Sequence, residues 1–140
     1  VMVGFAVWGF CQMVVRRSFF GVDRDPLALG ALYVALLAAY LLFEKCVVNY
    51  RPVLVEDVLE ASYPSSTTLL VLGVMMPALM QVNRRVEHPC ARRALVVAVT
   101  AFAVFMVLAR LISGVHWLSD IVGGILLVVG LAAAYRFAAL

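Results

Sequence analysis

Long apolar segments separated by short charged loops constrain the fold of this chain more than any other feature of its sequence. Five such segments can be read, Val1 to Val15, Leu27 to about Val48, Ser65 to Val82, Ala94 to Ile112, and Trp117 to Leu140. A helix rises about 1.5 Å per residue, so roughly 20 apolar residues cross the hydrocarbon core of a bilayer. Lipid offers no partners for backbone polar groups, which favours helices. The sequence therefore predicts an all-α, polytopic transmembrane helix bundle.

The composition supports a membrane protein. Hydrophobic residues make up 66% of the 140 residues and charged residues only 14%, more apolar surface than a soluble domain of this size requires. The net charge of +3 is small and lies on the loops, so we expect no nucleic-acid partner. Residues 1–140 show no domain boundary and are predicted to form one integral-membrane domain. Its first segment would span only roughly 22 Å as a helix, so we expect a truncated N-terminus.

The charge of the loops predicts the orientation of the helices. Residues 16–25 and 84–93 carry an excess of arginine, whereas residues 49–64 are not basic overall. Arginine-rich loops stay in the cytoplasm, so the two basic loops are expected on that side. Residues 49–64 and the turn at 110–116 then face outward. We expect an integral protein of a bacterial cytoplasmic membrane with its functional residues at the outer face.

Ionisable residues are concentrated between Arg110 and Asp120, at the junction of two apolar segments, where charge is costly. His116 and Asp120 are four residues apart. On a helix they would share one face, so that the carboxylate holds one imidazole nitrogen and leaves the other free. A histidine oriented in this way can act as a nucleophile, and Arg110 can present its donors to a phosphate. The alternative for His116 is a packed residue at the membrane interface.

A second group of residues indicates an anion site at the same face. The hydroxyls of Ser65, Ser66 and Thr67 follow Pro64 at the start of the third segment, next to unpaired N–H groups at the positive end of a helix. Such an end binds phosphate, although a simply capped helix is the alternative. Arg51 adds a second guanidinium, unless it only contacts lipid headgroups.

Together these residues suit the transfer of a phosphoryl group. The arginines and amides would neutralise its equatorial oxygens while the histidine attacks in line, and water would then hydrolyse the phosphohistidine. The acidic residues Glu56, Asp57 and Glu60 are expected on a solvated loop rather than around a catalytic metal. We therefore predict metal-independent chemistry without a cofactor.

These motifs resemble those of the type 2 phosphatidic acid phosphatase superfamily, membrane lipid phosphatases related to vanadium haloperoxidases. That family carries K-x6-R-P, P-S-G-H and S-R-x5-H-x3-D. The third motif is matched by Ala109-Arg110, His116 and Asp120, with alanine in place of the leading serine. The resemblance implies that His116 is the nucleophile, that Asp120 orients it, and that Arg51 and Arg110 bind phosphate. It also implies six transmembrane helices, of which five would be present.

The chain also departs from the family pattern in the first and second motifs. Lys45 precedes Arg51 by six residues instead of seven, so that Glu44 occupies the position of the family's lysine. Lys45 is the sixth predicted phosphate-binding residue, besides Arg51, Ser65, Ser66, Thr67 and Arg110. In the second motif, Thr67 replaces the histidine that protonates the leaving group, and a hydroxyl is not an acid near neutral pH.

The replacement of the acid histidine by Thr67 limits the leaving groups that the substrate can have. An alkoxide needs a proton to leave, whereas a phosphate, whose second pKa is about 6, leaves as an anion. We therefore predict hydrolysis of a lipid phosphate or diphosphate, with a polyprenyl diphosphate favoured. Lys45, Tyr50 or Tyr63 are alternative proton donors. A catalytically silent lipid-phosphate-binding protein and a transporter are alternative functions, although a transporter would want polar groups along a path through the bilayer.

Overall fold

The computed structural model describes residues 24–54 and 57–139. Within them the chain forms four helices, which we name α1 (Arg24–Lys45), α2 (Ser66–Arg85), α3 (Pro89–Ile112) and α4 (Leu118–Ala138). Each helix is long and apolar enough to cross a membrane. The predicted all-α membrane bundle is confirmed at this level. The predicted segment Val1 to Val15 lies outside the described residues, so the count of five helices of six stays a prediction.

Local sequence signals begin and end these helices. Ser65 is the N-cap of α2 and accepts a hydrogen bond from the Thr68 N–H at 3.4 Å. His88 is the N-cap of α3, where Pro89 occupies the first turn without needing an N–H partner. Both α2 and α3 extend past their apolar segments into the arginine-rich loop, since arginine can reach polar surroundings from a helix end. The helices are therefore longer than hydropathy alone predicts at these ends.

Three of the four helices share one hydrophobic core. Its buried residues come from α1, α2 and α4, namely Leu29, Leu32, Leu36, Leu69, Val128 and Tyr135. The helices approach closely where Gly73 of α2 meets Leu36, since a Cβ at Gly73 would overlap the leucine side chain. α3 buries only Ala103 and packs mainly on α2. Its exposed apolar side chains, such as Phe102 and Phe105, suit a lipid-facing helix.

Polar contacts fasten the end of the bundle that holds the start of α1 and the ends of α2 and α4. Asp25 forms ion pairs with Arg84 at 3.2 Å and with Arg85 at 2.9 Å. Gln81 donates a hydrogen bond to the Tyr135 hydroxyl at 2.5 Å and accepts one from Arg85 Nε at 2.6 Å. Successive helices therefore alternate in direction. The opposite end collects the end of α1, the starts of α2 and α4, and the loops that carry the predicted site.

Candidate active site

The segment between α1 and α2 doubles back on itself at the site end of the bundle. The Arg51 N–H donates a hydrogen bond to the Glu60 carbonyl at 3.2 Å, and the Ser62 N–H donates one to the Asn49 carbonyl at 2.8 Å. These two bonds hold residues 49–51 antiparallel to residues 60–62. The backbone at Arg51 and Ser62 is therefore held in place at the entrance to α2.

His116 lies in the turn between α3 and α4. α3 ends at Ile112, and Gly114 has a φ of 68°, a left-handed conformation that glycine adopts without a steric cost. α4 begins only at Leu118. His116 therefore precedes the helix, as expected for the turn at 110–116, and does not share a helical face with Asp120 as the four-residue spacing would give on a continuous helix. The two side chains still meet, but the turn brings them together.

Asp120 is fully buried in the first turn of α4, where it caps the helix. Its Oδ2 accepts hydrogen bonds from the Trp117 N–H at 2.9 Å and from the Ser62 hydroxyl. The same oxygen lies 3.7 Å from Nδ1 of His116, which is within ion-pair range but beyond hydrogen-bond range. Ser62 occupies the space between them, with its hydroxyl oxygen 3.2 Å and its carbonyl oxygen 3.1 Å from Nδ1.

These distances determine which nitrogen of His116 carries the proton. A carbonyl oxygen only accepts hydrogen bonds, so Nδ1 must be the donor toward Ser62. In the neutral ring, Nε2 then carries the lone pair. Nε2 is buried and has no hydrogen-bond partner among the described residues. The ring is therefore held in the tautomer that a nucleophilic or basic Nε2 requires.

Two arginines surround this histidine with positive charge. Burial has the largest effect on the His116 pKa and lowers it, and the charges of Arg51 and Arg110 lower it further, against smaller opposing effects of Asp120 and Ser62. The pKa therefore lies below the ordinary value of 6.5. Near neutral pH the ring is uncharged and its Nε2 lone pair is available.

The Nε of each of these two guanidinium groups has no hydrogen-bond partner among the described residues. Arg51 Nε lies 3.1 Å from a Glu60 carboxylate oxygen, in an ion pair whose angle is not that of a hydrogen bond. Arg110 stands in the last turn of α3, and its buried Nε has no hydrogen-bond partner in the part of the chain that the structure describes. A phosphate oxygen is the kind of acceptor that such donors bind.

A cavity of about 540 Å³ opens at this end of the bundle. His116, Arg51, Ser62 and Ser66 line it together. Its remaining wall includes aromatic and acidic side chains from α1 and the following loop, among them Tyr40, Phe43, Glu44, Tyr50, Glu60 and Tyr63. The histidine, one arginine and a residue of the α2 N-terminus thus border a single space.

A family model described as the PAP2 superfamily matches residues 45–139, which include all three predicted motifs. The chain belongs to the PAP2 superfamily. Members of this superfamily are membrane-associated phosphatases of lipid phosphates, in agreement with the apolar helices and the histidine-arginine site. No curated protein and no solved structure matches the chain.

Within this PAP2 chain, the predicted anion residues of α2 occupy different positions. Ser65 is fully buried, and its side chain accepts hydrogen bonds from the backbone and hydroxyl of Thr68. Its N–H donates to the Asp120 carbonyl at 3.1 Å, which ties the starts of α2 and α4 together. Ser66 lines the cavity, whereas Thr67 is half-buried and is not part of the cavity wall. The capping alternative therefore describes Ser65, and of the three predicted α2 hydroxyls Ser66 is the one that lines the cavity.

The first PAP2 motif brings Glu44, rather than Lys45, to the cavity. Lys45 is exposed at the end of α1 and does not line the cavity, whereas Glu44 does. Because α1 ends at Lys45 and Arg51 follows outside the helix, the last turn of α1 decides this placement, and the spacing to Arg51 on a shared helical face does not. Tyr50 and Tyr63, the other suggested proton donors, both line the cavity. Phosphate binding by Lys45 stays a prediction.

The structure brings two further residues to the site, Ser62 and Trp117, which the motifs did not identify. Ser62 lies two residues before Pro64 and joins His116 to Asp120. The indole N–H of Trp117 donates to the Tyr50 carbonyl at 2.8 Å, which fastens the histidine turn to the Arg51 segment. The sequence shows only that a serine stands two residues before the second motif. That position does not by itself identify a partner 54 residues away.

The other histidine of the chain lies outside this site. His88 caps α3 at the opposite end of the bundle, where its Nδ1 accepts from the Ala91 N–H at 3.5 Å. It is exposed and remote from His116, as predicted. Within residues 24–54 and 57–139, no three His, Cys, Asp or Glu side chains are grouped to hold a metal ion. The prediction of metal-independent chemistry depends instead on the histidine geometry.

Proposed function

We propose that this protein hydrolyses a lipid diphosphate, with a polyprenyl diphosphate as the favoured substrate, through a phosphohistidine on His116 and without a metal ion. The observation that carries the proposal is the bonding of His116. Its Nδ1 donates to the Ser62 carbonyl, its Nε2 keeps a lone pair, and the residue lines a cavity together with Arg51. A histidine that only packs at the interface does not need a defined tautomer next to two arginines.

The proposed reaction has two steps. Nε2 of His116 attacks the terminal phosphorus, and the bond from that phosphorus to the bridging oxygen breaks. The electron pair stays on the bridging oxygen, which departs as part of a lipid monophosphate. Water then attacks the phosphohistidine, the phosphorus-nitrogen bond breaks, and inorganic phosphate leaves. Arg51 and Arg110 stabilise the charge on the equatorial oxygens in both steps.

The choice of a diphosphate follows from the second motif. Hydrolysis of a monophosphate ester releases the lipid alcohol as an alkoxide, which Thr67 cannot protonate near neutral pH. A departing lipid phosphate carries its charge as a stable anion and needs no such acid. The same threonine is the observation that favours a silent, lipid-phosphate-binding protein. Catalysis is the better proposal because the histidine, its carboxylate and both arginines are all present.

Phosphate release tests this proposal directly. Purified protein in detergent with EDTA would be given a polyprenyl diphosphate, the matching monophosphate and phosphatidic acid. We expect release from the diphosphate alone, and gain of monophosphate hydrolysis in Thr67→His. Preference for a monophosphate by the native chain would refute the diphosphate argument. Binding of the diphosphate without any release would support the silent alternative.

We also propose that the site faces outward across a bacterial cytoplasmic membrane. Two exposed cysteines report on the two ends of the bundle, Cys46 just after α1 and Cys90 at the start of α3. Variants that retain only one of them, with Cys11 replaced as well, can be treated with a membrane-impermeant maleimide in intact cells. We expect Cys46 to react and Cys90 to react only after lysis. The reverse pattern would place the site in the cytoplasm.

A further inference from the structure

The hydrogen bonds of the Ser62 side chain indicate that it positions the histidine as well as stabilising the fold. It is only 1% exposed, and both of its side-chain contacts are to the pair His116 and Asp120. Its own backbone is anchored through the hydrogen bond to the Asn49 carbonyl at 2.8 Å. We propose that Ser62 is a positioning residue that links Asp120 to His116 and holds the ring with Nε2 ready for attack. This inference rests on the proposed function of His116.

The position of the Ser62 hydroxyl proton follows from the two side chains beside it. An ionised Asp120 can only accept, so the hydroxyl proton of Ser62 lies toward the carboxylate. The lone pairs of the same oxygen are then left to face Nδ1 of His116 at 3.2 Å. The carbonyl oxygen of Ser62, 3.1 Å from Nδ1, is also an acceptor. Both oxygens of this one residue therefore favour a proton on Nδ1 and a lone pair on Nε2.

The carboxylate depends on Ser62 to act on the ring by hydrogen bonding. At 3.7 Å, Oδ2 of Asp120 is too far from Nδ1 to accept its proton, so its direct effect is the attraction of a nearby charge. Through the Ser62 hydroxyl it also polarises an oxygen that contacts Nδ1. When Nε2 bonds to phosphorus, the ring becomes positive and its Nδ1–H becomes a stronger donor. The hydrogen bonds from Nδ1 to the two oxygens of Ser62 therefore become stronger as the phosphohistidine forms.

Enzyme kinetics can separate this role from a structural one. In Ser62→Ala the hydroxyl is lost but the carbonyl remains, and we expect kcat to fall roughly ten- to hundred-fold, the usual effect of losing a hydrogen bond to a charged group. KM should stay within about two-fold, because Ser62 is not expected to bind phosphate. Ser62→Thr keeps a hydroxyl and should recover part of the loss. Ser113→Ala, which removes an exposed hydroxyl that donates to the Arg110 carbonyl, is the matched control.

The outcomes distinguish this inference from the proposed function. If Ser62→Ala turns over like the native chain while His116→Ala is inactive, the positioning role is wrong and the proposed function stands. If KM rises and kcat does not change, Ser62 binds substrate instead and the positioning role is again wrong. Loss of activity in Ser113→Ala equal to that in Ser62→Ala would attribute the effect to general disturbance of this membrane face and overturn the inference.

A measurement without turnover tests the same point. The chain has two histidines, so His88→Gln leaves His116 as the sole source of ring nitrogen signals. With ¹⁵N-labelled histidine we expect the native ring to show the Nδ1–H tautomer alone, and Ser62→Ala to show a mixture. A native Nε2–H tautomer would overturn the inference. The expected spectra in a protein that hydrolyses no lipid phosphate would support the positioning geometry while the proposed function failed.

Discussion

The two ends of the bundle both contain charged residues, but they use them differently. At the end that holds the start of α1, Asp25 is paired with Arg84 and Arg85, and Gln81 is bonded to Tyr135. At the other end, several buried polar atoms have no hydrogen-bond partner among the described residues, namely Arg51 Nε, Arg110 Nε, His116 Nε2 and Asp120 Oδ1. Leaving such atoms unpaired costs stability. We call the end with Asp25 the bonded end and the end with His116 the open end, because the guanidinium and imidazole nitrogens without a hydrogen-bond partner among the described residues lie at the latter.

The balance of charge shows the same contrast. The carboxylate of Asp25 directly offsets the guanidinium groups beside it. Around His116, burial and the charges of Arg51 and Arg110 outweigh the buried carboxylate of Asp120, and the pKa of the histidine falls. An anion that bound there would complete the pairing. The predictions below test the difference between the two ends, beginning with the largest expected effect.

Removal of the nucleophile should have the greatest effect. His116→Ala should lower phosphate release by about 10⁴-fold or more, because the step that forms the phosphohistidine is lost. It should also abolish the acid-labile, alkali-stable label that a ³²P-diphosphate substrate leaves on the native protein. His88→Ala, at the opposite end, is the matched control and should retain full activity. A labelled His116→Ala protein would show that the nucleophile lies elsewhere.

Arginines from the two ends should respond very differently to substitution. Arg51→Ala should lower kcat/KM by about 10²–10³-fold, since it removes donors that stabilise the developing charge. Arg84→Ala removes the same kind of group from an exposed ion pair and should leave kcat/KM within about two-fold. Both are measured with the substrate that the native chain hydrolyses. Equal losses in the two variants would contradict the division between a bonded end and an open end.

Asp120→Asn should separate catalysis from helix capping. The amide oxygen of asparagine can still accept the Trp117 N–H, so the start of α4 should remain intact. The negative charge near the imidazolium is lost, and we expect kcat to fall about a hundred-fold. Circular dichroism should show unchanged helix content. A loss of helix together with activity would assign Asp120 a role in the fold alone.

The pH dependence should follow the lowered pKa of His116. The protonated ring has no lone pair on Nε2, so kcat/KM should fall as the pH drops through that pKa, which lies below 6.5, and should be level above it. Arg110→Gln removes one of the charges that lower the pKa. Its acidic limb should therefore move to higher pH, besides any loss in rate. A limb that stays in place would indicate that Arg110 does not act on His116.

The smallest effect on activity is expected at the bonded end. Gln81→Met removes the donor to the Tyr135 hydroxyl and the acceptor for Arg85 Nε. Because Gln81 and Tyr135 are buried, we expect the free energy of unfolding to fall by about 1–3 kcal/mol. Thermal inactivation in detergent would reveal this loss, whereas kcat at lower temperature should be unchanged. A large loss of kcat without a change in stability would show that the two ends are coupled.

Much of this arrangement could be read from the sequence because it depends on local properties. Hydropathy and segment length were sufficient for α1 to α4, since lipid requires apolar side chains and internally bonded backbone wherever a chain crosses it. The alternation of four helices then put Arg51, Ser66 and His116 at one end and His88 at the other. Family spacing identified the third motif. None of these inferences required knowledge of how the loops pack.

Only the tertiary structure decided how the site is joined. Ser62 meets His116 across 54 residues, through the antiparallel stretches between α1 and α2, and no local pattern specifies such a contact. The turn at Gly114 takes His116 off the helix, which leaves Ser62 between the ring and Asp120. The end of α1 places Glu44 at the cavity and Lys45 outside it. The sequence alone determined which residues gather at this membrane face, because hydropathy and helix period are local, whereas loop packing decided which of them touch.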